Sequence, residues 1–224
     1  MFIVSKDKLK WRIGAIRNIA WSFTKRKKTR RLRAYCVGLP RTGTHSMGYM
    51  MSGALRSKHE ADALTTVNFA ISYDDGNINE SVAERFILGR DKRLKLEFES
   101  SHYMFRFLPI IKKINPKSRF LVTVRDPYSW LKSELNQNYL SQNTFWRKYQ
   151  ECIYSTENNS YRVDKLSDKK LFPLKGYIDY WKKHINLVLN ETDRSNAIFV
   201  QTENIDNSLI EICRFLEIDK NEID

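Results

Sequence analysis

The chain has 224 residues, 42% of them hydrophobic and 12% aromatic, which suffices for a packed core and excludes wholesale disorder. That length suits one domain with an appendage; no apolar run approaches the roughly 20 residues of a membrane-spanning helix, and three scattered cysteines (Cys36, Cys152, Cys213) exclude a disulfide framework or zinc cluster and favour a reducing, cytoplasmic setting. The formal net charge of +13 is concentrated in the head of the chain: residues 1–33 hold twelve basic residues and one acid, and the remaining 191 residues carry only +2.

Within that head Leu9, Ile13, Ile16, Ala20 and Phe23 recur at helical spacing, flanked by Trp11 and Trp21 and followed by a basic run over 25–33. This pattern suits an amphipathic helix on the anionic inner face of a membrane, with a solvated arm or a helix docked on the domain as the plain alternatives. Nucleic acid is a disfavoured partner. Arg17 splits the apolar run, so a secretory signal fits poorly.

A short apolar strand is expected over 33–39, then a helix over 45–56 and an acidic turn at 73–80 around Asp75-Gly76. Alternation over 94–98 suggests a second strand. Residues 105–114 lean helical, with Pro109 in the first turn or at a kink. The run Arg119-Phe-Leu-Val-Thr-Val124 has the apolar character of a strand buried on both faces of a parallel sheet. Helices follow over 128–140 and 174–189, with a polar surface loop at 155–170 between them, then a strand over 197–201 and a closing helix over 208–216. Trp130, Trp146 and Trp181, with Tyr177 and Tyr180, read mainly as core, or as an aromatic wall for an acceptor. Strands alternating with helices indicate a single α/β domain over 34–224, a central parallel sheet flanked by helices, with ligands bound beyond the carboxyl ends of its strands.

Three sites fall at such ends. Gly38-Leu-Pro-Arg-Thr-Gly43-Thr-His-Ser46 joins a strand to a helix, where backbone N–H groups and the helix N-terminus can cradle an anion. Arg41 supplies a cation, and Thr42, Thr44 and Ser46 supply hydroxyls. The nucleoside-triphosphate version of such a loop ends in Gly-Lys-Ser/Thr; here Thr44 follows Gly43, which disfavours a magnesium-dependent triphosphatase. The strand ending at Val124 leads into Arg125, with Asp126 as N-cap, Pro127 at the first helical position and Ser133 eight residues after Arg125. An arginine fork with a hydroxyl makes a second phosphate site.

Together, Pro-Arg-Thr-Gly-Thr-His-Ser and Thr-Val-Arg-Asp-Pro-Tyr-Ser-Trp-Leu-Lys-Ser resemble the sulfotransferases that use 3′-phosphoadenosine-5′-phosphosulfate (PAPS). The resemblance spans about residues 33–140, and more loosely 199–216. It implies a P-loop-like fold, with Arg41, Thr42, Gly43, Thr44, His45 and Ser46 around the 5′-phosphosulfate and Arg125 and Ser133 on the 3′-phosphate. His45 occupies a place where the cytosolic family members often carry an aromatic. The implied reaction moves a sulfonate from PAPS to an acceptor hydroxyl and releases 3′,5′-ADP (PAP) with no metal. The arginine in the loop is more similar to bacterial carbohydrate and tyrosyl-protein enzymes than to the steroid and phenol enzymes. The late Arg-Lys-Gly loop of the latter is absent. A carbohydrate or glycolipid acceptor is the expectation.

Sulfuryl transfer needs a base on the nucleophile and positive charge at the leaving phosphate, and Arg41 suits the second task. Glu60, 19 residues after Arg41, sits where the carbohydrate and tyrosyl-protein enzymes carry their proposed base. His102, 23 residues before Arg125, has nearly the spacing of the catalytic histidine in the cytosolic enzymes. An imidazole titrates near ~6.5 and a carboxyl near ~4.3, so a glutamate base needs its pKa raised by burial. His59, Glu97 and Glu99 stay open as further candidates. The competing readings are a small P-loop phosphotransferase, and a non-catalytic membrane- or nucleic-acid-binding protein.

Overall fold

The computed structural model describes residues 30–142, 145–155 and 164–223. Most of the basic head, and residues 156–163 of the polar stretch over 155–170, lie outside the described residues. Strand β1 (Ala34–Cys36) leads to helix α1 (Thr44–Met50), strand β2 (Ser57–His59), and helices α2 (Ala63–Asp74) and α3 (Glu80–Leu94). Strand β3 (Phe98–Ser100) is followed by a 3-10 turn (Met104–Phe107), α4 (Leu108–Ile114) and β4 (Arg119–Val124). Then come α5 (Pro127–Leu140), α6 (Phe145–Tyr154), α7 (Asp164–Asp168), α8 (Leu174–Glu191), β5 (Ala197–Gln201), a 3-10 turn (Thr202–Asn204) and α9 (Leu209–Leu216). Among the described residues no helix is long and apolar enough to cross a membrane.

The five strands form one parallel sheet in the order β2-β3-β1-β4-β5. Side chains alternate across it, as strand geometry requires. Tyr35, Val37, Phe120, Val122 and Ala197 face a larger core that includes Ala63 and Val67 of α2, Ile87 of α3 and Tyr177 and Val188 of α8. Ala34, Cys36, Phe98, Leu121 and Val200 face a smaller one, built with Met47 of α1 and Ile212 and Leu216 of α9. Burial on both faces explains why β1 and β4 read as largely apolar runs.

Several boundaries differ from the sequence reading. The helix expected over 45–56 stops at Met50, and the chain returns as an edge strand at Ser57–His59. The strand expected over 94–98 is displaced: α3 continues to Leu94, reverses through Lys95 at φ 50°, and pairing begins at Phe98. Neither β2 nor β3 exceeds three residues, too few to show a period. Helix α2 contains Thr65, Thr66, Val67 and Ile71, β-branched residues that weaken a helical signal; burial of Ala63, Thr66, Val67 and Ala70 overrides it. Pro109 sits in the first turn of α4, and Asp126 caps α5 by accepting from the backbone N–H groups of Tyr128 and Ser129. Arg30 and Arg33 pair with Asp91, and Arg31 with Glu97 and Glu222, so the last arginines of the basic head lie against the domain.

Helix α8 is tied to the end of β1 by His184, whose Nε2–H donates to the Val37 carbonyl at 2.7 Å. Burial holds this imidazole down at about 4, against its ordinary 6.5, although the hydrogen bond works the other way. Its folded value lies below the unfolded one, so the unfolded chain takes up the proton first. Stability is therefore complete above 6.5 and falls as pH drops toward about 4. In urea titrations, His184→Gln should lose roughly 2–3 kcal/mol less stability than the parent between neutral pH and about pH 4; equal losses would refute the assignment.

Candidate functional site

Parallel register aligns the strand ends. His59, Ser100, Cys36 and Leu121 lie abreast across four strands. The residues that follow, Glu60 after β2, His102 after β3, the 38–43 loop after β1 and Arg125 after β4, therefore emerge along one edge. Strands β2 and β3 lie on one side of β1 and β4 and β5 on the other, the topological switch point at which open α/β sheets bind ligands.

The loop is braced from three sides. Gly38 passes so close to β4 that a Cβ there would lie 1.9 Å from Thr123 Oγ1 and 2.7 Å from the Thr123 carbonyl oxygen. The Trp130 indole N–H donates to the Pro40 carbonyl at 2.9 Å, and the Thr202 hydroxyl to the Thr42 carbonyl at 3.0 Å. Thr42 is buried; its hydroxyl is 2.7 Å from the Leu39 carbonyl and 2.8 Å from Thr123 Oγ1. Thr42 therefore braces the loop rather than presenting its hydroxyl to a ligand, a difference from the expectation. Gly43, at φ 90°, is the N-cap of α1 and leaves that helix end without a side-chain cap, a conformation glycine adopts without penalty. Arg41 is left-handed too, at φ 65°, and its guanidinium is exposed toward solvent with Nε donating to Ser133 Oγ at 3.2 Å.

Arg125 turns toward the loop. Its Nη1 donates to the Arg41 carbonyl at 3.2 Å and its Nε faces Glu203 at 3.2 Å. The two motifs thus meet: the cation of the first touches the hydroxyl of the second, and the cation of the second touches the backbone of the first. Thr202 and Glu203, at the end of β5, were invisible as site residues because nothing in their local sequence marks them. Ser46 is exposed and lies outside the cleft described below.

Glu60 and His102, rival candidates in the sequence, are hydrogen-bonded partners: His102 Nδ1 lies 2.9 Å from Glu60 Oε1. Burial pushes the Glu60 carboxyl up, but the His102 hydrogen bond and the charges of His102, His59 and His45 outweigh it and hold it below its ordinary 4.5. An ionised carboxylate can only accept, so the hydrogen of this contact sits on Nδ1; in the neutral ring Nε2 is then the lone-pair nitrogen. His59 Nε2 approaches the same carboxylate oxygen at 3.4 Å, and the His45 ring stands edge-on to His59 with centroids 5.0 Å apart. Burial lowers the pKa of His59.

A buried ion pair holds this dyad from behind. Arg90 forms a two-pronged pair with Glu99 and donates to the Ala61 carbonyl, while Ser101 Oγ donates to Glu99 Oε1 at 3.0 Å. The network grips the residue after Glu60 and the residue before His102. Glu60 itself is left-handed at φ 49°, with its N–H donating to the Ser100 carbonyl at 2.9 Å; such backbone strain persists only where the surroundings enforce it. Glu99 is thus a positioning group. Glu97 lies at the opposite, amino-terminal edge, bonded to the backbone N–H groups of Arg31 and Arg56.

Arg41, Thr44, His45, His59, Glu60 and His102 line one side of a cleft of about 180 Å³, and Glu134, Gln137, Ser141, Trp146, Gln150 and Tyr154 of α5 and α6, with Ser141 at the end of α5, line the other. Burial pushes the Glu134 carboxyl above its ordinary 4.5, against the Tyr154 hydrogen bond and the charges of His102 and Arg41. Trp146 lies tilted against the His102 ring, centroids 5.4 Å apart. Trp130, Tyr177 and Tyr180 are core, as their spacing suggested. Glu134 follows Ser133 directly, yet a lone carboxylate on a helix gives no sequence signal of burial.

The chain has the fold of a sulfotransferase. A solved structure of a sulfotransferase from Alicyclobacillus acidocaldarius matches it with a TM-score of 0.51, covering 86% of this chain and 83% of that one at 15% sequence identity. At that identity the likeness concerns the fold. No family model and no curated protein matches the chain.

Because Gly38 leaves no room for a side chain against Thr123, Gly38→Ala should either displace the loop or lower unfolding stability by about 2 kcal/mol or more. Chemical denaturation that shows full stability, with an unchanged environment for the Trp130 indole, would refute the close approach.

Proposed function

We propose that the protein is a PAPS-dependent sulfotransferase acting on a hydroxyl acceptor, of the carbohydrate or glycolipid class, and releasing PAP. The observation that carries this reading is the meeting of the two anion motifs, Arg41 beside Ser133 and Arg125 against the Arg41 carbonyl, next to the Glu60–His102 pair. The sulfotransferase fold adds support. In this reading Arg41, Gly43, Thr44 and His45 surround the 5′-phosphosulfate, with Thr42 holding the loop in shape. Arg125 and Ser133 take the 3′-phosphate that separates PAPS from ADP-like nucleotides.

The dyad divides the base function between its members. Glu60 fixes the tautomer and offsets the imidazolium that forms; His102 Nε2 accepts the acceptor's hydroxyl proton. The acceptor oxygen bonds to sulfur as the sulfur–oxygen bond to the phosphate breaks, and Arg41 stabilises the charge left on that phosphate. The donor requires no metal in this scheme. The basic head, over 1–33, would hold the enzyme against an anionic membrane where glycolipid acceptors reside.

PAP without magnesium should raise the melting temperature of the full chain, and ATP with magnesium should raise it little. Arg125→Ala should erase the preference for PAP over AMP. The reverse nucleotide ranking would favour a phosphotransferase, and indifference to both would remove the nucleotide reading. In turnover assays His102→Ala should lose ~10²–10⁴ in kcat while PAP still binds. Glu60→Gln should also slow turnover, and the double variant should be about as slow as His102→Ala alone, because coupled groups act as a unit. Additive losses would break the dyad assignment.

A further inference from the structure

Arg125 carries the charge of the second anion motif, and both edges of its guanidinium are already engaged. Nη1 donates to the Arg41 carbonyl at 3.2 Å, and Nε donates to Glu203 Oε1 at 3.2 Å. An arginine grips an oxyanion with two parallel N–H bonds, end-on through its two Nη groups or side-on through Nε and one Nη. Each edge therefore has one nitrogen occupied. The two partners differ in their freedom to leave. The Arg41 carbonyl belongs to a loop clamped by Trp130 at Pro40 and by Thr202 at Thr42. Glu203 engages through a side chain, 55% exposed, on the 3-10 turn that follows β5.

The other acid beside Arg125 is not interchangeable with Glu203. Asp126 Oδ1 accepts from the backbone N–H groups of Tyr128 and Ser129 and so starts α5. The turn that carries Glu203 is itself pinned: the Thr202 hydroxyl lies 3.0 Å from both the Thr42 and the Val124 carbonyl. Its backbone thus keeps the carboxylate within reach of Arg125, at the carboxyl ends of β4 and β5, while the exposed side chain can swing away. Across the motif, Ser133 accepts from Arg41 Nε and keeps a hydroxyl hydrogen of its own to give. A carboxylate set by a single N–H bond on the guanidinium that a phosphate would use is a weak substitute for that phosphate.

Resting on the sulfotransferase reading above, we propose that Glu203 is an internal stand-in for the 3′-phosphate, holding Arg125 until the donor displaces it. A 3′-phosphate wins the exchange because it carries about −1.5 to −2 charge, against a single charge on the carboxylate, and offers two oxygens to the fork. A nucleotide without that phosphate, such as AMP, leaves the Arg125–Glu203 pair intact. The competition therefore weakens the grip on PAP and spares AMP. Glu203 sets the strength of the 3′ site; it takes no part in the sulfuryl transfer.

The test is calorimetry on the full chain with PAP and AMP. An exposed ion pair holds its partner about 1.5- to fivefold, and removing a like charge beside the phosphate adds to that gain. Glu203→Gln should therefore tighten PAP about three- to tenfold and leave AMP within about twofold. Glu203→Ala, which removes the hydrogen bond as well, should tighten PAP at least as much; two neutral replacements at an exposed position guard against one that fails to fold. In an Arg125→Ala background, Glu203→Gln should no longer tighten PAP. A parent chain that binds no PAP would remove the sulfotransferase reading and this role with it. With PAP bound by the parent, unchanged or weaker PAP binding in both variants, an equal gain for AMP, or a gain that survives Arg125→Ala would overturn the stand-in role alone.

Discussion

The site depends on one constraint, the in-register parallel pairing of β2, β3, β1 and β4. Parallel strands all run the same way, and here His59, Ser100, Cys36 and Leu121 share one row, with β4 continuing past it to Val124. Everything beyond that row is delivered to the same edge. A carboxylate, an imidazole, the 38–43 loop and a guanidinium, far apart in the chain, arrive as neighbours without any long-range side-chain interaction being needed to recruit them.

Alignment alone would leave these groups on loose loop ends. Rigidity comes from the layer behind. The buried Arg90–Glu99 pair reaches to Ala61 on one side and through Ser101 on the other, gripping both flanks of the Glu60–His102 bond. On the other side of β1, Trp130, Thr123 and Thr202 hold the loop by its carbonyls and by the buried Thr42 hydroxyl. Buried ion pairs contribute little net stability, since desolvation offsets their attraction. Their value here is geometric: Arg90 has a reason to be buried only where it satisfies Glu99 and a loop carbonyl at once.

Charge across the cleft is graded. Glu60, surrounded by three histidines, is kept ionised; Glu134, enclosed by α5 and α6, is pushed the other way. Two carboxyls in the lining of one cleft are therefore pushed in opposite directions, one by the histidines beside it and the other by its burial. Trp146 differs from Trp130 in its place: it packs on His102 at the cleft, whereas Trp130 is buried in the core.

By itself the sequence determined the α/β class, the loop over 38–46, the strand Arg119–Val124 and the capped helix after it, because these rest on local chemistry: glycine spacing, a run of apolar residues, and an Asp-Pro helix start. It also brought Glu60 and His102 forward, but as competitors. Only the tertiary structure decided that they are a pair, since their 42-residue separation is closed by strand pairing that leaves no mark on either segment. The same holds for β2, three residues long and defined by β3 beside it, and for Glu134 and Gln150, whose burial comes from helices packing over them. Local pattern reports which residues can form an element; which of them meet is set by long-range burial and register, a property of the assembled chain.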